Sequence, residues 1–167
     1  MNDNNMETSP RQRSGQARHL EALTLSTNKV INASMSEYKY VALAGGVGGA
    51  KLAHGLAALL PPEQLTIIVN TGDDMRYMGL QICPDVDTVL YTLSGRANTQ
   101  TGWGVAEDTF HCLDGLGSLK EEPWFRLGDK DIATHLLRTD LLDKGLTLTQ
   151  VTGELAIRMG IEHTILP

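Results

Sequence analysis

A four-glycine turn followed by lysine, Gly45-Gly46-Val47-Gly48-Gly49-Ala50-Lys51, stands between two apolar segments of different period and leaves the chain few folds to adopt. The run before it, Tyr40 to Ala44, is too short for a helix and reads as a buried parallel strand. After it, Ala50, Leu52, Ala53, Leu56, Ala57 and Leu60 fall at helical spacing until Pro61-Pro62 stops them. A second apolar run, Leu65 to Val69, completes a βαβ unit. The expected class is α/β, with a doubly wound, mostly parallel, Rossmann-like sheet.

Glycine at such a turn lets the backbone come close to a ligand, and the free N–H groups of the helix start face an anion. Gly45, Gly46, Gly48, Gly49 and Lys51 are therefore candidate contacts to a phosphate-bearing substrate. The segment does not match GxxxxGK[ST], because Leu52 stands where Ser or Thr is required. Nor does it match GxGxxG, because Lys51 occupies the place of the third glycine. A tight turn that only packs helix on strand is the plainer alternative.

Asn70-Thr71-Gly72-Asp73-Asp74 follows the second strand at the carboxyl edge, where open α/β sheets bind ligands. Adjacent carboxylates repel unless a cation or hydrogen-bond donors compensate, so Asp73 and Asp74 are the first choice for metal or catalytic contact, with Asn70 and Thr71 beside them. A solvated acidic turn is the competing reading. Asp85 and Asp87 open the next helix, Pro84 to Leu93, where capping alone would explain them. One of the two, with Asp87 preferred, is the candidate to orient an attacking hydroxyl or help hold a metal.

Residues 70 to 83 otherwise read as a polar loop. A glycine-rich loop carries Trp103, which offers either a flat aromatic face or a buried anchor. Further helices are expected from about Glu107 to Leu113, Lys130 to Leu142 and Leu148 to Met159, the last opened by Thr147 with Gln150. Ile161 to Pro167 reads as a strand. Trp124 and Phe125 are expected in the core, Arg126 is a candidate phosphate contact, and His54, His111, His135 and His163 have no assigned role. Two or three strands are few for so many helices, and the domain is expected to continue beyond this segment.

Residues 1 to 36 are polar and read as a mobile N-terminal extension, with the domain proper from 37 to 167. The extension carries four Lys/Arg against three Asp/Glu, which leaves a net charge of −7 on the rest of a chain whose total is −6. An acidic domain argues against a broad nucleic-acid surface. Cys83 and Cys112 lack zinc spacing and are expected as free thiols. With no signal-length apolar run and no membrane-length one, the expectation is a cytoplasmic protein without a membrane partner.

Taken in series, Leu43 to Leu52, Val69 to Asp74, Cys83 to Thr88, Gly102-Trp103-Gly104 and Trp124 to Leu136 resemble the 2-phospho-L-lactate transferase family of coenzyme F420 biosynthesis, including its phosphoenolpyruvate and phosphoglycerate variants. The resemblance runs from about Tyr40 to Pro167. It implies transfer of a phospholactyl-type moiety from a guanylylated diphosphate donor to the deazaflavin FO, with GMP leaving and Mg²⁺ assisting. It also implies the N-terminal part of the enzyme only, because the family's members are roughly twice as long. A related family with a similar glycine-rich start implies the alternative of a nucleotide-sugar-binding regulatory protein. An inactive truncated fragment is a third option. Oligomeric state is left open, a homodimer being one arrangement.

Overall fold

The computed structural model describes residues 38–119 and 123–167, so the extension assigned to residues 1 to 36 lies outside the described residues. In chain order the elements are β1 Tyr40–Ala44, α1 Gly46–Ala57, β2 Leu65–Val69, β3 Met75–Tyr77, β4 Leu80–Ile82, α2 Pro84–Leu93, α3 His111–Ser118, α4 Asp129–Asp143, α5 Leu148–Arg158 and β5 Thr164–Leu166. A short 3-10 turn, Pro62–Gln64, leads into β2. The class is α/β with a parallel, Rossmann-like sheet, as expected. Its strand order is β1-β2-β5, so β2 is central and the final segment of the chain pairs with it.

Strand register explains the layering. Tyr40 pairs with Leu65 and Ala44 with Val69, so Ala42, Ala44, Leu65, Ile67 and Val69 share one face, joined by Ile165 of β5. All six are buried. The opposite face carries Val41 and Leu43, 62% and 75% exposed, and Ile68 at 38%. β1 is thus covered on one face only, which corrects the expectation of a strand buried on both. The small residues Ala42 and Ala44 let α1 approach, through its own buried Ala50 and Ala53. α1 packs in turn mainly on α2.

Three further boundaries differ from the sequence reading. α1 begins inside the glycines, at Gly46, not after them. The expected loop between Asn70 and Cys83 contains the antiparallel hairpin β3-β4, closed by Met78 and Gly79 with φ of 50° and 81°. Two successive positive φ values suit the twist of a tight hairpin, and Met at the first of them hides the usual Asn-Gly or Asp-Gly signal. The helix expected from Glu107 begins instead at His111, because Glu107 has a φ of 53° and cannot start a helix.

The start of α3 and the start of α4 cap each other. Asp129 accepts from the Thr109 hydroxyl and from the backbone N–H groups of His111 and Cys112. Asp108 accepts from the N–H groups of Lys130 and Asp131. Each carboxylate satisfies donors that have no intrahelical acceptor. α5 opens with a complete capping box between Thr147 and Gln150. Among the described residues, no helix is long and apolar enough to cross a membrane.

Gly49 marks the tightest helix-to-strand approach. A Cβ added there would lie 2.9 Å from the Cα of Ala44, a backbone atom that cannot step aside. Gly49→Ala should therefore destabilise the chain by about 1 to 3 kcal/mol, seen as a lower urea midpoint at constant slope. An unchanged midpoint would show that this approach carries no constraint.

Candidate active site

Asp85 ties together three pieces of chain at the carboxyl edge of the sheet. Its Oδ1 accepts from the Gly46 N–H at 2.8 Å and its Oδ2 from the Asn70 side-chain amide at 2.8 Å. The glycine turn, the end of β2 and the start of α2 are thereby locked. Gly46 has a φ of 57°, which suits glycine, and a Cβ at Gly45 would press on Asp85 and Asn70. One of the turn's donors is therefore already engaged. Val47 and Gly48, in the first helical turn, keep N–H groups with no intrahelical acceptor, and Gly48 has open space where a side chain would be. Lys51 is exposed one turn further on.

Asn70 and Thr71 form the bend after β2, with the Asn70 Oδ1 accepting from the Gly72 N–H and the Thr71 carbonyl from the Asp74 N–H. Asp73 is exposed. Asp74 is half-buried, and its Oδ1 is shielded from solvent without a hydrogen-bond partner among the described residues. Burial pushes the Asp74 carboxyl above the usual carboxylate range, while the neighbouring Cys83 thiol and Arg138 partly oppose the rise. An orphaned buried oxygen next to an exposed carboxylate is a donor set that suits a hard divalent cation.

The second part of the site is a cavity of about 470 Å³ between α2, α4 and two loops. Tyr91, Trp103, Trp124 and Phe125 provide its aromatic walls, and Asp87, Asp131 and His135 its polar floor. Trp103 sits on a loop pinched by the bridge between Ala97 and Val105. Gly102 of that loop lies against Val47, so the cavity wall adjoins the glycine turn. Trp124 and Phe125 are not core residues as expected. Trp124 is 72% exposed, and the two rings meet each other and Tyr77 edge to face, at centroid distances of 5.4 to 6.3 Å. Arg126 lies over the Phe110 ring at 4.3 Å, at the cavity rim.

Beneath the cavity lies a network of buried charge. Arg138, fully buried, binds both carboxylate oxygens of Asp87. Its Nη1 also donates to the Gln81 carbonyl and faces His135 Nδ1 at 3.1 Å. Guanidinium is only a donor, so His135 Nδ1 acts as acceptor and Nε2 carries the proton. That Nε2 stands 3.3 Å from Asp131 Oδ1, out of line for a full hydrogen bond, and has no other partner among the described residues. The Tyr91 hydroxyl donates to the same oxygen at 2.6 Å. Burial pushes the Tyr91 phenol far up. Burial also raises Asp131, but His135, Tyr91 and Arg138 outweigh it and hold the carboxyl below its usual range.

Asp87, Asp131 and His135 bring ligand atoms within 4.8 Å of one another. Arg138 already supplies a cation to Asp87 there. The structure thus brings Asp87, Trp103 and Arg126 to one cavity, and the glycine turn of Gly45, Gly46, Gly48 and Gly49 and the bend of Asn70 and Thr71 to one sheet edge beside it. Asp73 and Asp74 lie after that turn, and Lys51 faces solvent. His135, given no role from sequence, belongs to the floor, together with Tyr91, Asp131 and Arg138. The missed signal was helical: Asp131, His135 and Arg138 recur at spacings of four and three, a polar stripe facing inward.

The fold and these two adjoining features define an α/β domain that joins a glycine turn at a sheet edge to an aromatic, carboxylate-floored cavity. The sequence model of the 2-phospho-L-lactate transferase CofD family matches residues 40–167, and the chain belongs to that family. It is 48% identical over 121 residues to a phosphoenolpyruvate transferase of Streptomyces avermitilis, covering 72% of this chain and 38% of that protein. It is 46% identical over 125 residues to a 2-phospho-L-lactate transferase of Methanospirillum hungatei, covering 75% and 42%. A phosphoenolpyruvate transferase of Mycobacterium ulcerans is 43% identical over 141 residues, covering 77% and 43%. The chain spans about two fifths of the length of these curated relatives.

Both cysteines are free thiols, one buried and one exposed. Burial pushes the Cys83 thiol up to about 12, with Arg138 opposing, so almost none of it is thiolate at neutral pH. A thiol reagent at pH 8 should therefore modify Cys112 rapidly and Cys83 only after unfolding, giving one fast equivalent by mass. Two fast equivalents would show that Asp74 and Cys83 are open to solvent.

Proposed function

We propose that this chain carries the acceptor cavity and the donor-facing turn of a transferase of coenzyme F420 biosynthesis. The reaction moves a phosphorylated three-carbon acid, 2-phospholactate, phosphoenolpyruvate or phosphoglycerate, from a guanylylated diphosphate donor to the ribityl hydroxyl of FO. The hydroxyl oxygen bonds to the acid-bearing phosphorus, the bridging P–O bond breaks, GMP leaves with the electron pair, and the hydroxyl proton is released to solvent. The phosphoenolpyruvate and 2-phospho-L-lactate transferases among its relatives support a phosphorylated three-carbon acid, and family membership supports the pathway.

The observation that carries the reading is the cavity itself. A tricyclic deazaflavin is flat and largely apolar, and aromatic walls give such a ring contact area at low entropic cost. Asp87, its carboxylate held by Arg138 at the cavity floor, is placed to orient the attacking hydroxyl and accept its hydrogen bond. Val47, Gly48 and Lys51 serve the diphosphate from the adjoining turn. Asp73 and Asp74 would hold Mg²⁺, which would neutralise charge developing on the transferred group. The chain's own contribution is then positioning and charge placement, which is most of what phosphoryl-type transfer requires.

The sequence contains two tryptophans, Trp103 and Trp124, and both line the cavity. Titration with FO should therefore quench the intrinsic tryptophan fluorescence saturably. Absence of quenching, or saturable binding of a UDP-sugar without FO binding, would overturn the reading in favour of a nucleotide-sugar-binding protein.

A further inference from the structure

Asp131 lies where two cavities meet. It lines the aromatic cavity and also a smaller one of about 190 Å³, whose other polar groups include Asn98, Thr101 and Asp108. Its two oxygens are not equivalent. Oδ1 receives the Tyr91 hydroxyl and faces His135 Nε2, whereas no side chain among the described residues donates to Oδ2. The carboxylate is thus fixed in orientation by one oxygen and leaves the other for something else.

The charges around it define what that something is. Arg138 binds Asp87 below and Arg126 stands at the rim, so the cavity's two carboxylates are matched in number by two guanidiniums and do not call for a cationic ligand. An ionised carboxylate only accepts hydrogen bonds. The complement is a neutral donor, and several donors in a row on a flexible chain if the ligand extends from one cavity to the next. We infer that Asp131 is a specificity-determining residue for the acceptor, its Oδ2 accepting from the hydroxyls of a polyol side chain while Tyr91 and His135 hold Oδ1. This rests on the acceptor reading above and deepens it: the aromatic walls take the ring, Asp87 takes the reacting hydroxyl, and Asp131 reads the hydroxyls between them.

The test compares two probes on the full chain, FO and the same deazaflavin ring bearing a methyl group in place of the ribityl chain. The unsubstituted chain should bind FO about tenfold more tightly than the methyl analogue, as expected for a hydrogen bond to a charged group. Asp131→Asn, which keeps the shape and an acceptor for Tyr91, should weaken FO about tenfold and leave the analogue unchanged. Equal loss of both probes would assign Asp131 a structural role only and overturn the inference, as would no loss of either. Tyr91→Phe provides an independent arm, with a smaller loss expected for FO alone, and unchanged FO selectivity there would also count against it. If the unsubstituted chain binds neither probe, the acceptor reading itself fails, a result distinct from any change caused by the substitutions.

Discussion

The pair formed by Asp87 and Arg138 is the interaction on which the site depends. A guanidinium with no exposure to solvent is costly unless its charge is met and its donors are used. Asp87 on α2 meets the charge, and Nη1 also donates to the Gln81 carbonyl of β4 and to His135, while Nε is buried without a partner among the described residues. One side chain of α4 thereby fixes α2 and the hairpin at once. Thr139, the next residue, adds a bond from the Gln81 N–H to its hydroxyl. The carboxylates at the floor of the cavity are oriented by this network, so the same bonds that stabilise the packing of α2 against α4 also set the chemistry that the cavity presents.

Asp85 plays the corresponding part at the sheet edge. Two residues before Asp87 on the same helix, it binds the glycine turn and Asn70, while Asp87 faces the opposite way into the buried network. A first turn of α2 with carboxylates at alternate positions therefore links the turn proposed for the donor with the cavity proposed for the acceptor. Rigid connection between two substrate subsites is what positional catalysis needs, since an error of about an ångström between reacting groups is expensive in rate. The dynamics of the site are accordingly expected in the Trp103 and Trp124 loops and not in the floor.

The βαβ unit was legible because its signals are local: a short apolar run, glycines, a helix-spaced run and a proline stop. The capping box of α5 was legible for the same reason. The hairpin was not, because its turn uses Met78 where Asn or Asp would have announced it, and its strands are three residues each. Trp124 was misread because aromatic residues are usually core, and only tertiary placement shows them lining a cavity. The roles of Arg138 and His135 depend on partners about fifty residues away or on burial, and neither is visible in the sequence near them. Asp87 was identified for its place at a helix start, yet what fixes it is the distant arginine.

A double-mutant cycle on Asp87→Asn and Arg138→Met, with unfolding free energy and FO affinity both measured, addresses the central claim directly. Either single substitution should cost about 3 to 5 kcal/mol of stability by leaving an unpaired buried charge or an unmatched amide, and the double variant should cost clearly less than the sum. Both single variants should also lose FO binding, Arg138→Met among them although Arg138 lies beneath the cavity floor. Additive stability losses, or undiminished FO affinity in Arg138→Met, would contradict the account that this buried pair organises the site.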